Sequence, residues 1–315
     1  MKRILFTRMS SLGDIIHTFP AATDVRAAYP EAALDWIVEE AYVPLVRMHP
    51  GVSRIIPIAL RRWRRQLFSR ASWRQMRAFR AALREHSYDA IIETQGLIKS
   101  AVVARLASGP IYGFGRKTAR EPFAARLYDA TYDFVPEDHK IERYRAVAAR
   151  ALGYGPGALD YGIAAPPPPR FAPAQRYCVL LHSTARVGKL WTEQAWSELA
   201  RWLEGEGLAC VLPWGSDEEQ ARARRIAATL ARAVVPPRMP LADAAGLIGH
   251  ARVVVGLDTG LMHLAAALRV PVVGLFCDSE PLDAHPRGSG PIAYLGGVGR
   301  PPSAQEAIEA VKKIA

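Results

Sequence analysis

Two kinds of apolar pattern alternate along this chain. Short β-branched or aliphatic runs at residues 4–7, 34–38, 54–58 and 90–93 read as strands, and stretches with helical spacing at 15–28, 98–107 and 141–152 read as helices. The alternation resumes in the second half. Strands are expected at 177–181, 209–212, 253–256 and 272–275, and helices at 193–203, 218–230, 241–248 and 261–268, with a short final helix at 304–314. Between the halves lie two glycine- and proline-rich segments, 153–157 and 164–169. Four successive prolines, Pro166 to Pro169, cannot continue a helix or a central strand, so this is the predicted linker. Repeated βα units on both sides imply an α/β protein with two doubly wound parallel-sheet domains. The expected boundaries are 1–160, a linker at 161–175, 176–300, and a C-terminal helix at 301–315 packing back on the N-terminal domain. Ligands of such folds bind beyond the carboxyl ends of the strands, and two facing domains would place a site in the cleft between them.

The strongest local signal is Val253-Val254-Val255-Gly256-Leu257-Asp258-Thr259-Gly260-Leu261-Met262-His263. A β-branched run stops at an acid, a Thr-Gly pair turns the chain, and an apolar helix follows. Such a turn aims free backbone N–H groups and a partial positive charge beyond the strand end, where an anion such as a diphosphate fits. An ordinary βα unit with a capping residue has the same pattern.

Composition narrows the partners. With 41 Lys and Arg against 30 Asp and Glu in 315 residues, the formal charge is +11, which favours polyanions: nucleic acid, an anionic membrane surface or phosphorylated substrates. Cys178, Cys210 and Cys277 form no C-x-x-C pair or Cys/His cluster, so neither a disulfide framework nor a zinc site is indicated, as suits a reducing cytoplasm. Arg8 and Asp14 interrupt the first apolar stretch before a signal-peptide core forms, and no run reaches the ~18 apolar residues of a spanning helix. Any membrane contact is therefore expected from the side.

Several strand ends carry candidate chemistry. The first βα turn, Arg8-Met9-Ser10-Ser11-Leu12-Gly13-Asp14, lacks a dinucleotide fingerprint and delivers Asp14 to a helix start, as either a general base or a first-turn acid. His182-Ser183-Thr184-Ala185-Arg186-Val187-Gly188-Lys189 gathers hydroxyls, a glycine and cations suited to phosphate oxygens, with a solvated loop as the plainer reading. Glu219, beyond Trp214-Gly215, is placed to accept ribose hydroxyls or simply to favour a helix N-terminus. Met239 could pack against a base, although a lone Met is more often core. A basic run, Arg61-Arg62-Trp63-Arg64-Arg65, precedes Arg70, Arg74, Arg77, Arg80 and Arg84, which share one third of a helical wheel opposite Met76, Phe79 and Leu83. Only Glu85 offers opposite charge there, so i,i+4 pairing does not explain the stripe, and an anionic partner is expected. Lys99 and Arg120 could extend the patch.

Five ordered segments, Met9 to Asp14, Gln95-Gly96-Leu97-Ile98-Lys99-Ser100, His182-Ser183-Thr184, Leu212-Pro213-Trp214-Gly215 and Asp258 to His263, resemble the lipopolysaccharide heptosyltransferases over nearly the whole chain. Arg61 to Arg64 and Gln95 to Ser100 are most like the type I members. The resemblance implies a GT-B fold of two Rossmann-like domains, the first binding acceptor and the second ADP-heptose. It implies inverting transfer of L-glycero-D-manno-heptose from ADP-heptose to the Kdo of Kdo-lipid A. Asp14 matches the family's base, and Thr184, Lys189, Glu219, Met239, Asp258, Thr259, Gly260 and His263 match its donor-binding positions. Ala185 stands where a relative has a second Thr, so only a backbone contact survives there.

The chemistry agrees with that likeness. One base suffices for displacement at an anomeric carbon when the leaving group is ADP, and Lys189 with the Thr259-Gly260 helix start can take up the charge that builds on the diphosphate. With no D-x-D in the chain, transfer without metal or other cofactor is expected. Arg61, Arg62, Arg64, Lys99, Arg120 and the basic helix are expected to receive the acceptor's anionic groups at the cytoplasmic face of the inner membrane, which the protein would meet peripherally. The nearest alternative is a later-step, type II heptosyltransferase acting on a heptosylated acceptor. A nucleotide-sugar epimerase sharing this architecture is a second, and a nucleic-acid-binding protein a third. Against the last stands the lack of any helix-turn-helix, finger or aromatic RNA-binding signature.

Overall fold

The computed structural model describes every residue except 67, 68, 136, 185, 283 and 284. The chain forms two compact units, Met1–Gly162 and Ile163–Ala315.

The first unit runs β1 (Arg3–Thr7), α1 (Leu12–Ala28), β2 (Ala33–Glu39), α2 (Val43–Val46), β3 (Arg54–Ile58), α3 (Leu60–Arg65), α4 (Arg70–Arg84), β4 (Ala90–Glu93), α5 (Ile98–Ala104), β5 (Ile111–Phe114), β6 (Ala130–Tyr132) and α6 (Lys140–Leu152). Its sheet is parallel throughout, in the order β3-β2-β1-β4-β5-β6. The central strands are buried along their length, which is why they read as unbroken apolar runs rather than alternating ones. Phe6 of β1 stacks on Trp36 of β2, ring centroids 5.3 Å apart.

The second unit runs β7 (Tyr177–Leu181), α7 (Glu193–Gly205), β8 (Ala209–Val211), α8 (Asp217–Ala227), β9 (Ala233–Val234), α9 (Leu241–Gly249), β10 (Val253–Leu257), α10 (Gly260–Ala267), β11 (Val272–Phe276), β12 (Ile292–Gly296) and α11 (Ala304–Ile314). The order β12-β11-β10-β7-β8-β9 is the same topology as in the first unit. In each, the sheet grows outward on one side and then restarts beside its first strand. This creates a switch point between β1 and β4 in one unit and between β7 and β10 in the other. The expected doubly wound α/β architecture is therefore present twice.

One expectation needs correction. The predicted linker does not stand apart, since residues from 163 onward belong to the second unit. A ring nitrogen of His250 lies 3.0 Å from the Pro166 carbonyl oxygen. The proline-rich segment passes so close to α9 that a Cβ on Gly246 would lie 2.3 Å from the Pro167 carbonyl oxygen. The final helix contributes to the core of the second unit. Ala304, Ala307, Ala310 and Val311 of α11 enter the core built on β7, β10 and α7, and Trp191 Nε1 donates to the Pro302 carbonyl at 2.6 Å. The 3–4 spacing of those residues is an amphipathic signature, but it does not say which sheet is covered. Among the described residues, no helix is long and apolar enough to cross a membrane.

Candidate active site

Every candidate residue that the structure describes sits on or just beyond a carboxyl strand end of its own sheet. In the first unit Asp14 follows β1, Arg61, Arg62 and Arg64 follow β3, Lys99 follows β4 and Arg120 follows β5.

Asp14 is the third residue of α1. Its Oδ2 accepts from Ser11 N at 3.2 Å and Ser11 Oγ at 2.9 Å, closing the helix start. The plain structural use of this acid is thus realised. Its other oxygen, Oδ1, accepts from the Tyr144 hydroxyl of α6 at 3.2 Å. Burial pushes the Asp14 pKa up, but the Arg8 guanidinium, the Ser11 bonds and Lys140 together outweigh it, and the group is held below the ordinary carboxylate value. Arg8 is buried, its guanidinium carbon 4.3 Å above the centre of the Tyr144 ring.

The β4 end supports this turn from the other side of the switch point. Glu93 is fully buried and accepts from the Gln95 and Gly96 amides, each at 2.9 Å, and from the Tyr128 hydroxyl. Gly96 has φ +66, a conformation that L side chains rarely adopt, and a Cβ there would also crowd Arg120 N at 3.1 Å. Gln95 Oε1 in turn accepts from Met9 N at 3.0 Å. Burial raises the Glu93 pKa despite these bonds.

The basic residues differ from one another. Arg61 and Arg64 of α3 are exposed, as are Lys99 and Arg120. Glu39, at the end of β2, accepts from Arg61 N at 3.2 Å and feels the charges of both Arg61 and Lys99. These two cations, one from α3 and one from α5, therefore share one neighbourhood. Arg62 is largely spoken for. Its guanidinium holds Glu40 through bonds of 3.0 and 2.9 Å and donates to Gln75 at 2.8 Å.

In the second unit, Lys189 follows β7, Glu219 follows β8, Met239 follows β9 and Asp258 to His263 follow β10. Lys189 Nζ lies 2.5 Å from Asp258 Oδ2, so the pair spans the switch point. Ser279 Oγ, beyond β11, donates to the same oxygen at 3.1 Å, and His263 Nε2 is 4.0 Å from Oδ1. Burial raises the Asp258 pKa, but Lys189, His263 and Ser279 reverse this, and the carboxylate stays below its usual range. Thr259 caps α10 without a side-chain bond, its Oγ1 buried and unpartnered, and Gly260 begins the helix. Thr184 is half-buried in the β7 loop. Ala185 lies outside the described residues. The Glu219 carboxylate accepts from Gly215 N at 2.6 Å while its own amide donates to Ser216 Oγ at 3.3 Å, the geometry of a first-turn acid. Met239 is half-buried in the loop before α9.

A family model described as glycosyltransferase family 9 (heptosyltransferase) matches residues 76–299. The chain belongs to this family. It is 43% identical to lipopolysaccharide heptosyltransferase 1 of Pseudomonas aeruginosa, an alignment covering 89% of this chain and 79% of that one. The solved structure of E. coli heptosyltransferase WaaC with ADP superposes with a TM-score of 0.90 at 37% identity, covering 99% of this chain and all of that one. A lipopolysaccharide heptosyltransferase 2, from Salmonella typhimurium, is only 27% identical over 89% of this chain and 84% of its own. The heptosyltransferase is thus an enzyme of the GT-B-like two-domain class, nearer to type 1 than to type 2, and the epimerase and nucleic-acid readings are not favoured. Sequence reasoning passed over Arg8, Glu93, Tyr144 and Ser279. Arg8, Glu93 and Ser279 share the signal that would have found them, a polar residue at or just past a carboxyl strand end. Tyr144, on a helix remote in sequence, has none.

Proposed function

We propose that this heptosyltransferase moves L-glycero-D-manno-heptose from ADP-heptose to the Kdo of Kdo-lipid A, with inversion and without a metal. The observation that carries the donor assignment is the Lys189–Asp258 pair beside the start of α10, in a chain so similar to a heptosyltransferase solved with ADP. Asp258, with Ser279 and His263 around it, orients the Lys189 ammonium as a point charge for the diphosphate. Thr184, Thr259 and the Gly260 helix start add donors for phosphate oxygens. Glu219 accepts the ribose hydroxyls and Met239 packs against the base. Ala185 is assigned a backbone contact only.

Asp14 is the base. It is ionised well below neutral pH, and Oδ1 is the oxygen not committed to the helix cap. As the acceptor hydroxyl gives its proton to Oδ1, its oxygen forms a bond to the anomeric carbon on the face opposite ADP. The bond from that carbon to the phosphate oxygen breaks, and the electron pair leaves on the diphosphate, held by Lys189 and the α10 amides. Arg61, Arg64, Lys99 and Arg120 receive the acceptor's anionic groups, and Arg62 shapes that site through Glu40. The enzyme works in the cytoplasm, docked peripherally on the anionic inner leaflet, and takes no nucleic acid.

The test is ADP release from ADP-heptose with purified Kdo-lipid A, run in excess chelator, for wild type and Asp14→Ala. Acceptor-dependent release that falls by about 10²–10⁴ in the variant is expected. Release only with an already heptosylated acceptor would move the enzyme to the later step, and activity restored by a divalent ion would refute metal independence.

A further inference from the structure

The arginine stripe expected from sequence divides in the structure. The α3 arginines follow β3 at the carboxyl edge of the sheet, whereas α4 packs Phe79 and Leu83 inward and presents Arg70, Arg74, Arg77, Arg80 and Arg84 to solvent. These five span about 21 Å of helix. The helix contains no acid, and Glu85, just past its end, is held by Arg54 of β3 at 2.7 Å. Trp73 lies inside the same arc, one residue from Arg74 and three from Arg70, and is 56% exposed. The helix thus sets an amphipathic aromatic ring among five arginines on one exposed arc. The groove of about 320 Å³ between β3, α3 and α4 is lined from the helix by Gln75, Ala78, Phe79 and Ala82, on the side turned away from Trp73, and takes no part in this face. A polyanion such as duplex DNA would use the arginines but not the exposed Trp73 ring. An amphiphile with an anionic head uses both.

We propose that the outer face of α4 is the surface by which this protein docks on an anionic phospholipid leaflet, with the arginines at the headgroups and Trp73 anchored at the interface. The proposal rests on the reading of this enzyme as one that works on a membrane-borne acceptor. It separates docking on α4 from acceptor recognition at the strand ends.

The test is sedimentation of the full chain with vesicles that contain no lipopolysaccharide. Binding to phosphatidylglycerol–phosphatidylethanolamine vesicles, weakening as salt rises and lost on pure phosphatidylcholine, is expected. The double substitution Arg74→Gln, Arg77→Gln should weaken binding about thirtyfold. Trp73→Ala should weaken it severalfold with the salt dependence unchanged. Melting temperature controls for folding. Equal binding to neutral vesicles, wild-type binding by both variants, or tighter binding to duplex DNA than to vesicles overturns the proposal. Turnover of a water-soluble, de-acylated acceptor separates the two readings. If the α4 variants lose that turnover yet still bind vesicles, the stripe serves the acceptor and the docking role is wrong. If wild type binds vesicles but turns over no acceptor, the proposed reaction fails and the docking face stands.

Discussion

At the scale of single residues, Asp14, the proposed base, is tuned by neighbours that are given no proton transfer of their own. Asp14 would be a raised carboxyl on burial alone, and Arg8 is the first of the groups that bring it down. Tyr144 adds a hydrogen bond that only the Oδ1 lone pair can accept. Both favour the ionised form, so both act as positioning residues that set where the acid limb of the pH–rate profile falls. Arg8→Met should move the acid limb of kcat/KM to higher pH, and Tyr144→Phe should move it the same way by less. A merely structural role would lower the rate at all pH values without moving the limb, and that result would remove the tuning from both residues.

At the scale of elements, α6 is pinned to α1 by one buried ion pair. Arg145 Nε and Nη2 reach the two oxygens of Asp24 at 2.7 and 3.0 Å, and the Gly157 amide completes the carboxylate's shell at 3.3 Å. Arg145→Ala leaves Asp24 buried without its partner and should cost about 3–5 kcal/mol in urea unfolding, whereas replacing both residues by apolar ones of similar volume should cost much less. An equal loss in the single and double variants would show that packing, not charge, joins the helices. The pair also shows where legibility ends. Periodicity marks both helices, and their strands are plain because central parallel strands are apolar on both faces. β5, β6 and β12 were not anticipated. They are three to five residues long and lie towards the outer edges of their sheets, too short for a period to mark them. Local pattern likewise places Asp14, Lys189 and Asp258 at strand ends, but not the contact of Lys189 with Asp258 across 69 residues of chain. Nor does spacing reveal that Cys178 and Cys210 share a register, their Sγ atoms 3.5 Å apart.

At the scale of the whole molecule, each unit buries a histidine whose pKa is pushed well down. His49 in the first is pushed down to about 4, chiefly by burial and then by Arg26. Gly51 N donates to its Nδ1 at 3.1 Å, so the ring proton sits on Nε2, 3.0 Å from Thr23 Oγ1, and a second proton would break the Gly51 bond. His182 in the second is likewise pushed down to about 4, by burial and then Arg222, with Ser183 Oγ 2.8 Å from its Nδ1. The unfolded chain therefore binds more protons than the folded one from pH about 6.5 down to about 4, and stability must fall as pH falls through that window. Each histidine contributes on the order of 3 kcal/mol across it. Glu93 and Glu39, raised by burial, pull the other way above the ordinary carboxyl value. The melting temperature should therefore drop steadily between pH 6.5 and 4.5, and a His49→Gln, His182→Gln protein, though less stable at pH 7.5, should show a markedly flatter profile. Should the double variant lose stability as steeply as wild type, the acid sensitivity would belong to other groups, with the other buried histidines, His17, His139 and His263, the first to be tested.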